Sequence, residues 1–340
     1  MTRGKIAELI KLNTIFQAPM AGVTTPELVS EVSNQGGIGN IGAGYLNAKQ
    51  TQNFIEKVKM NTNYFYGINL FVPEKIDLNE VEFDQAKQKF KQAAPAYAQE
   101  IPEKIEISHV FAEQIEVVMK EAVPIVSFTF GIPDVTVIEQ LKQAGSYIIG
   151  TATTVKEAIE IENAGCDAVV VQGFEAGGHR GSFLGDNDLI GLFSLLPQVA
   201  DSVKIPIIAA GGIMDKRGVK AAYNLGASSV QLGTAFLMTY ESSADKLHKK
   251  TLLSSVETDA VLTKAFSGKL ARGINNEFIE KYKHEREKIL PYPFQNSLTK
   301  NMRSLAKQQN DKSFMSLWTG QSIRLSKEQS VRDLMNELKK

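Results

Sequence analysis

Ala168–Ser182 reads AVVVQGFEAGGHRGS, and its first half decides the fold. Val169, Val170 and Val171 form an unbroken β-branched run, as expected of a strand covered on both faces in a parallel sheet. Gln172 and Gly173 then bring the chain out at the C-terminal end of that strand. Gly177, Gly178 and Gly181 follow, with His179 and Arg180 set among them. Glycine lets the backbone take positive φ and approach a ligand without a Cβ in the way. In parallel α/β proteins, ligands and chemistry gather at loops leaving the C-terminal ends of strands. His179 is the one histidine of the chain in such a loop, which reads as an active-site loop.

Seven further stretches resemble this strand: 15–19, 37–42, 64–71, 124–131, 147–152, 205–212 and 229–236. Helical patterns separate most of them. Thr25 reads as an N-cap with Pro26 as the first helical residue, and Thr154 with Glu157 reads as a capping box. Eight strands alternating with helices predict an α/β fold of the (β/α)8 TIM-barrel class. Gly37-Ile38-Gly39-Asn40-Ile41-Gly42 matches the GxGxxG pattern of dinucleotide folds, but a helix precedes it where that fingerprint requires a strand. It reads as coincidence.

No helix follows the eighth strand directly. Residues 241–305 are charged and helical in pattern, broken by SGK, RG and PYP. The tail 328–340 places Val331, Leu334, Met335 and Leu338 at i, i+3, i+4 and i+7, one apolar helix face. The expected division is a barrel of 1–240 and 306–340, with the tail as its eighth helix, and a small helical domain, 241–305, inserted between. Two helical segments, about 80–99 and 109–121, lie between the third and fourth strands. Residues 72–105 there form a second elaboration on the active-site face.

Lys plus Arg equals Asp plus Glu at 38 each in 340 residues, so no net field recommends a nucleic acid or an anionic membrane as partner. The N-terminus lacks a signal peptide's apolar core, and no apolar run reaches the ~20 residues of a membrane span; the cytoplasm is the expected location. Cys166, the single cysteine, excludes an internal disulfide and reads as a small buried thiol. Asp186 and Asp188 lack the spacing of a calcium loop, and no metal is expected. His109, His248 and His284 sit on charged helical patterns and read as surface residues. Arg180 fits an anion clamp or a loop anchor equally well.

The remaining strand ends supply the rest of a site. Gly212, Gln231, Leu232, Gly233 and Thr234 close the last two barrel strands, where such barrels often bind a phosphate through backbone N–H groups. Asn69 and Gln172 end strands three and six; their amides can address the edge of a heterocycle or bond to nearby backbone. Gln17, Met20 and Ala21 end strand one, where small neighbours leave room for a flat ring.

Taken together, PMAGVTTPELVSEVSNQGGIG (19–39), GINLF (67–71), SFTFG (127–131), VVQGFEAGGHRGSF (170–183), IPIIAAGGI (205–213) and GASSVQLGTAF (226–236) resemble the FMN-dependent nitronate monooxygenases, formerly 2-nitropropane dioxygenases. LTKAFSGKLARGI (262–274) and LWTGQSIR (317–324) resemble segments of that family's C-terminal part. The resemblance implies a barrel holding FMN, closed over by a helical domain. It assigns FMN contacts to Asn69, Gln172, Gly177, Gly212, Gln231, Leu232, Gly233 and Thr234, and catalysis to His179. The implied reaction is oxidation of an alkyl nitronate, such as propionate 3-nitronate, with O2 to a carbonyl compound and nitrite, a detoxification. Partners are then small molecules, and a homo-oligomer stays open. The rival readings are an FMN-dependent NAD(P)H reductase of the same superfamily, acting on enoyl-acyl-carrier protein or quinone, and a phosphate-binding barrel without redox chemistry.

Overall fold

The computed structural model describes residues 3–11, 14–74, 76, 78, 80–103, 110–185, 188–284 and 288–339. His109 and Asp186 lie outside these. The strands in chain order are β1 (Ile15–Gln17), β2 (Gly39–Gly42), β3 (Tyr66–Phe71), β4 (Ile125–Thr129), β5 (Tyr147–Ala152), β6 (Ala168–Gln172), β7 (Gly178–His179), β8 (Ile207–Ala210), β9 (Ser229–Leu232), β10 (Ala260–Thr263) and β11 (Ala271–Ile274). The α-helices are α1 (Arg3–Lys11), α2 (Pro26–Asn34), α3 (Ala48–Asn61), α4 (Glu80–Ala93), α5 (Phe111–Lys120), α6 (Val135–Gln143), α7 (Val155–Asn163), α8 (Leu192–Ala200), α9 (Lys216–Asn224), α10 (Thr234–Leu237), α11 (Lys246–Ser254), α12 (Glu277–Tyr282), α13 (Phe294–Gln309) and α14 (Val331–Lys339).

Each of the eight expected strand stretches contains a barrel strand. They pair in parallel in the order β1-β9-β8-β6-β5-β4-β3-β2, and a parallel bridge between Phe16 and Ile38 brings the two ends together. The fold is the (β/α)8 barrel. Strand alternation sorts the side chains. Val169 and Val171 face the helices, in one core with residues of α2, α3, α7 and α8, while Val170 faces inward with Ile149 and Ile208. Ile6 and Ile10 of α1, both at most 1% exposed, join that inner cluster. The N-terminal helix thus packs into the inner core, a role that its short amphipathic pattern did not announce.

Thr25 caps α2 by accepting from the Leu28 N–H at 2.9 Å, with Pro26 at the first position. The GxGxxG stretch serves packing: a Cβ on Gly39 would stand 2.1 Å from the Val29 carbonyl oxygen of α2. α14 packs against α2, α9 and α10, and Val331, Leu334, Met335 and Leu338 are buried in the barrel's outer core. The apolar face expected of the tail is thus buried against the barrel.

A second core gathers Phe90 and Tyr97 with Phe266, Phe278, Leu298, Met302, Phe314 and Leu317. α13 continues to Gln309, and Phe314, Leu317 and Ile323 belong to this core as well. The elaboration around α4 joins this same core. The closing unit is not wholly helical, since β10 and β11 pair antiparallel within it.

Candidate active site

The loop after β6 is held by the closing unit from two sides. β7 is the third strand of the β10–β11 sheet, with His179 opposite Ala271 and Gly178 opposite Arg272. Beyond it, the Arg180 N–H donates to the Leu270 carbonyl at 2.8 Å. The Arg272 guanidinium lies 4.3 Å over the Phe174 ring and donates from Nε and Nη2 to the Phe174 carbonyl and from Nη1 to that of Ala260. Burial pulls Arg272 down to about 10. Across the loop, the segment 317–322 donates from the Gln321 N–H to the Glu175 carbonyl at 3.0 Å and from the Gly320 N–H to Thr234 Oγ1 at 3.0 Å. Gly177 is needed at this seam, because a Cβ there would meet the Thr319 carbonyl carbon at 2.4 Å.

Between barrel and closing unit lies a cavity of about 540 Å³, within the ~300–1,000 Å³ usual for ligand sites. The structure brings Asn69, Gln172, Gly177, His179, Gly212, Gln231, Gly233 and Thr234 to its wall. Leu232 is the exception. It is 1% exposed and faces the helices with Val230, because alternation along β9 turns Gln231 inward and Leu232 out. Met20 and Ala21 line the cavity, whereas Gln17 is fully buried and accepts from the Asn40 N–H at 2.8 Å.

The two amides are held by neighbours. Gln172 donates from Nε2 to the His179 carbonyl at 3.0 Å and accepts at Oε1 from the Gly181 N–H at 2.8 Å. These partners fix which end of the amide is which. Asn69 donates to Ser127 Oγ and Thr129 Oγ1, both at 3.0 Å. Elsewhere on the cavity wall, Gly211 and Gly212 take φ of +111° and +72°. A Cβ on Gly233 would meet only Ala18, at 3.7 Å, so a larger side chain would enter the cavity itself. This cradle of glycines beside the Thr234 hydroxyl suits a phosphate-bearing cofactor.

His179 is half-buried, with its ring edge-on to Phe130 (centroids 5.8 Å, 89°) and tilted against Trp318 (5.6 Å). Its Nε2 lies 2.8 Å from Ser267 Oγ. Desolvation, followed by the charges of Arg303 and Lys269, lowers its pKa to about 4. The imidazole is neutral at physiological pH, in a positive potential. Lys269 is itself paired with Glu74 and lies 5.1 Å over the Phe130 ring.

Arg180 anchors its loop. It is 6% exposed, and Nη2 donates to the carbonyls of Thr153 and Asp188. Thr154 caps α7 by accepting from the Glu157 N–H at 3.2 Å, but the reciprocal bond of the expected capping box is not made, because the Glu157 carboxylate turns to Thr153 and not to the Thr154 N–H. Fully buried, Glu157 accepts from the Thr153 N–H and hydroxyl and from the Phe183 and Leu184 N–H groups, tying α7 to the far end of the histidine loop.

His248 departs from its expected surface place. It is 6% exposed on the cavity wall, and its Nε2 donates to the Trp318 carbonyl at 3.1 Å. His284 is exposed, as its pattern suggested. Sequence reasoning also missed Arg303, Lys300 and Lys307, which line the cavity from α13. Their spacing of three, four and seven puts them on one helix face, a signal that was present but looked like solvated charge.

The sequence profile of the family described as nitronate monooxygenase matches residues 4–340. A protein of Staphylococcus haemolyticus named probable nitronate monooxygenase is 49% identical over 329 residues, covering 95% of this chain and 92% of its own. The solved structure of a nitroalkane oxidase from Streptomyces ansochromogenes superposes with a TM-score of 0.89 at 37% identity, covering 96% of this chain and 94% of that one. FabK from Thermotoga maritima is more distant, with a TM-score of 0.76 and 28% identity over 98% and 94% of the two chains.

Proposed function

The chain belongs to the nitronate monooxygenase family, a flavin-dependent enzyme family, and from that premise we propose that it binds FMN in this cavity and oxidises alkyl nitronates with O2 to carbonyl compounds and nitrite. In this reading Gly212, Gly233 and Thr234 hold the phosphate, while Asn69, Gln172, Gly177 and Gln231 border the ring system and its linker. Leu232 contributes backbone alone. The flavin, when bound, supplies a one-electron acceptor beside the nitronate.

The protein's own groups bind and orient the substrate. A nitronate is an anion, and the cations Arg303 and Lys269 lie within electrostatic range of His179 on a partly desolvated wall, where such attraction is stronger than in water. Lys300 and Lys307 stand at the exposed rim, and neither has an ion-pair partner among the described residues. They suit a second anionic group at the far end of the substrate, as in propionate 3-nitronate. The aromatic wall of Phe130 and Trp318 keeps water from the face of His179. Removal of toxic nitronates is the role we assign.

The observation that carries this reading is a neutral His179 in a glycine loop, set in a positive potential and sharing one cavity with a glycine cradle. Purified protein should be yellow and release FMN on denaturation. Propionate 3-nitronate in air should yield nitrite. His179→Asn should keep the colour and lower the turnover, by about 10²–10⁴ with a neutral nitroalkane, the usual contribution of a positioned acid–base group. If NADH bleaches the flavin while nitronate yields no nitrite, the chain is instead an NAD(P)H-dependent reductase.

A further inference from the structure

Ser267 lies in the turn between β10 and β11, is 2% exposed, and reaches His179 because β11 pairs with β7. The turn is tightly held. Gly268 takes φ of +85°, and a Cβ there would meet the Leu290 carbonyl oxygen at 2.3 Å. The Ser267 hydroxyl has three neighbours: His179 Nε2 at 2.8 Å, the Lys269 carbonyl at 3.2 Å and the Lys269 N–H at 3.3 Å.

A hydroxyl offers one proton and two lone pairs. The Lys269 N–H takes one lone pair. The Lys269 carbonyl can only accept, and it has no other donor among the described residues. If the hydroxyl proton went to His179, that buried carbonyl would be left unmet, which is the costly arrangement. If the proton goes to Lys269, every group is satisfied provided that His179 donates from Nε2 to the remaining lone pair. Nδ1 is then the unprotonated nitrogen, and it has no hydrogen-bond partner among the described residues, nor is it shut away from the cavity.

We infer that Ser267 is a positioning residue that holds His179 as its Nε2–H tautomer, leaving Nδ1 to accept a proton from a neutral nitroalkane. In that step the C–H bond next to the nitro group breaks and an Nδ1–H bond forms. The released electron pair moves into the nitro group, giving the bound nitronate. The inference rests on the reading of His179 as the residue that acts on substrate, and what it adds is the residue that sets that histidine's proton.

The test uses holoenzyme with ¹⁵N-labelled histidine, in which the His179 signals are those lost in His179→Asn. The chain has only four histidines, so the assignment is practical. In the wild type, His179 should carry its proton on Nε2. Ser267→Ala should lose that preference and slow turnover of a neutral nitroalkane about tenfold or more, with a smaller loss on preformed nitronate. Ser267→Thr, which keeps a hydroxyl, should restore both. A proton on Nδ1 in the wild type, or an unchanged tautomer and rate in Ser267→Ala, overturns the inference. Full activity in His179→Asn would instead overturn the reading of His179 on which it rests.

Discussion

His179 and Ala271 face each other across antiparallel strands, so the histidine of the loop after β6 belongs to the sheet of β10 and β11. Barrel and closing unit therefore share the site, and neither holds its geometry alone. Removing a contact in the β10–β11 sheet should move the histidine as surely as a change in the barrel.

The cradle after β8 and β9 gives the first prediction. Gly233→Val should yield folded, colourless protein that fails to take up added FMN, because its side chain would meet little but Ala18 before filling the cavity. Absorbance at the flavin band after reconstitution measures this. A yellow Gly233→Val protein would place the phosphate elsewhere.

Lys300 and Lys307 give the second. Replacing both with alanine should raise KM for propionate 3-nitronate by about 2–10-fold, in keeping with exposed charge pairs worth ~0–1 kcal/mol each. KM for the nitronate of an uncharged nitroalkane should not change. Added salt should erase the difference between wild type and variant.

The pH dependence follows from two histidines. His179 and His248 each have pKa values of about 4 in the fold, mainly through desolvation, against 6.5 for an unperturbed imidazole. The unfolded chain thus binds more protons than the folded one between roughly pH 6.5 and 4. This contribution to stability is fully present above about pH 6.5 and is lost as pH falls toward 4. Urea midpoints measured across that window should drop. The drop should be smaller in His248→Gln, whose amide can still donate to the Trp318 carbonyl.

Leu334 tests the tail. It is 2% exposed and packed in the outer core of the barrel. Leu334→Ala should cost about 2–5 kcal/mol of unfolding free energy, as other buried leucines do. Removal of residues 326–340 should leave an apolar groove beside α2 and α9 and give insoluble protein. A soluble, flavin-loaded truncation would contradict this placement of the last helix.

Much of the fold was written in local pattern. Short runs, mostly β-branched or aliphatic, marked all eight barrel strands, and the i, i+3, i+4, i+7 spacing of Val331, Leu334, Met335 and Leu338 marked the last helix. Burial on both faces dictates the first pattern and burial on one face the second, so both can be read without knowing the partner. The glycine loop, His179 and the cavity's barrel half were legible for the same reason: strand ends in parallel sheets point to one rim.

What only the tertiary structure decided are the relations between distant segments. Alternation turned Leu232 away from the cavity, and the phase of a four-residue strand depends on its neighbours' register. Arg180 looked as fit to bind an anion as to anchor a loop until the carbonyls of Thr153 and Asp188 met it. His248 looked solvated because the helix carrying it is charged; its partner, the Trp318 carbonyl, lies 70 residues on. Ser267 and His179 are 88 residues apart, and nothing local to either shows that one hydroxyl sets the other's proton. A hydrogen bond between remote residues depends on how two folded units pack together, and residue type and spacing along the chain do not carry that information.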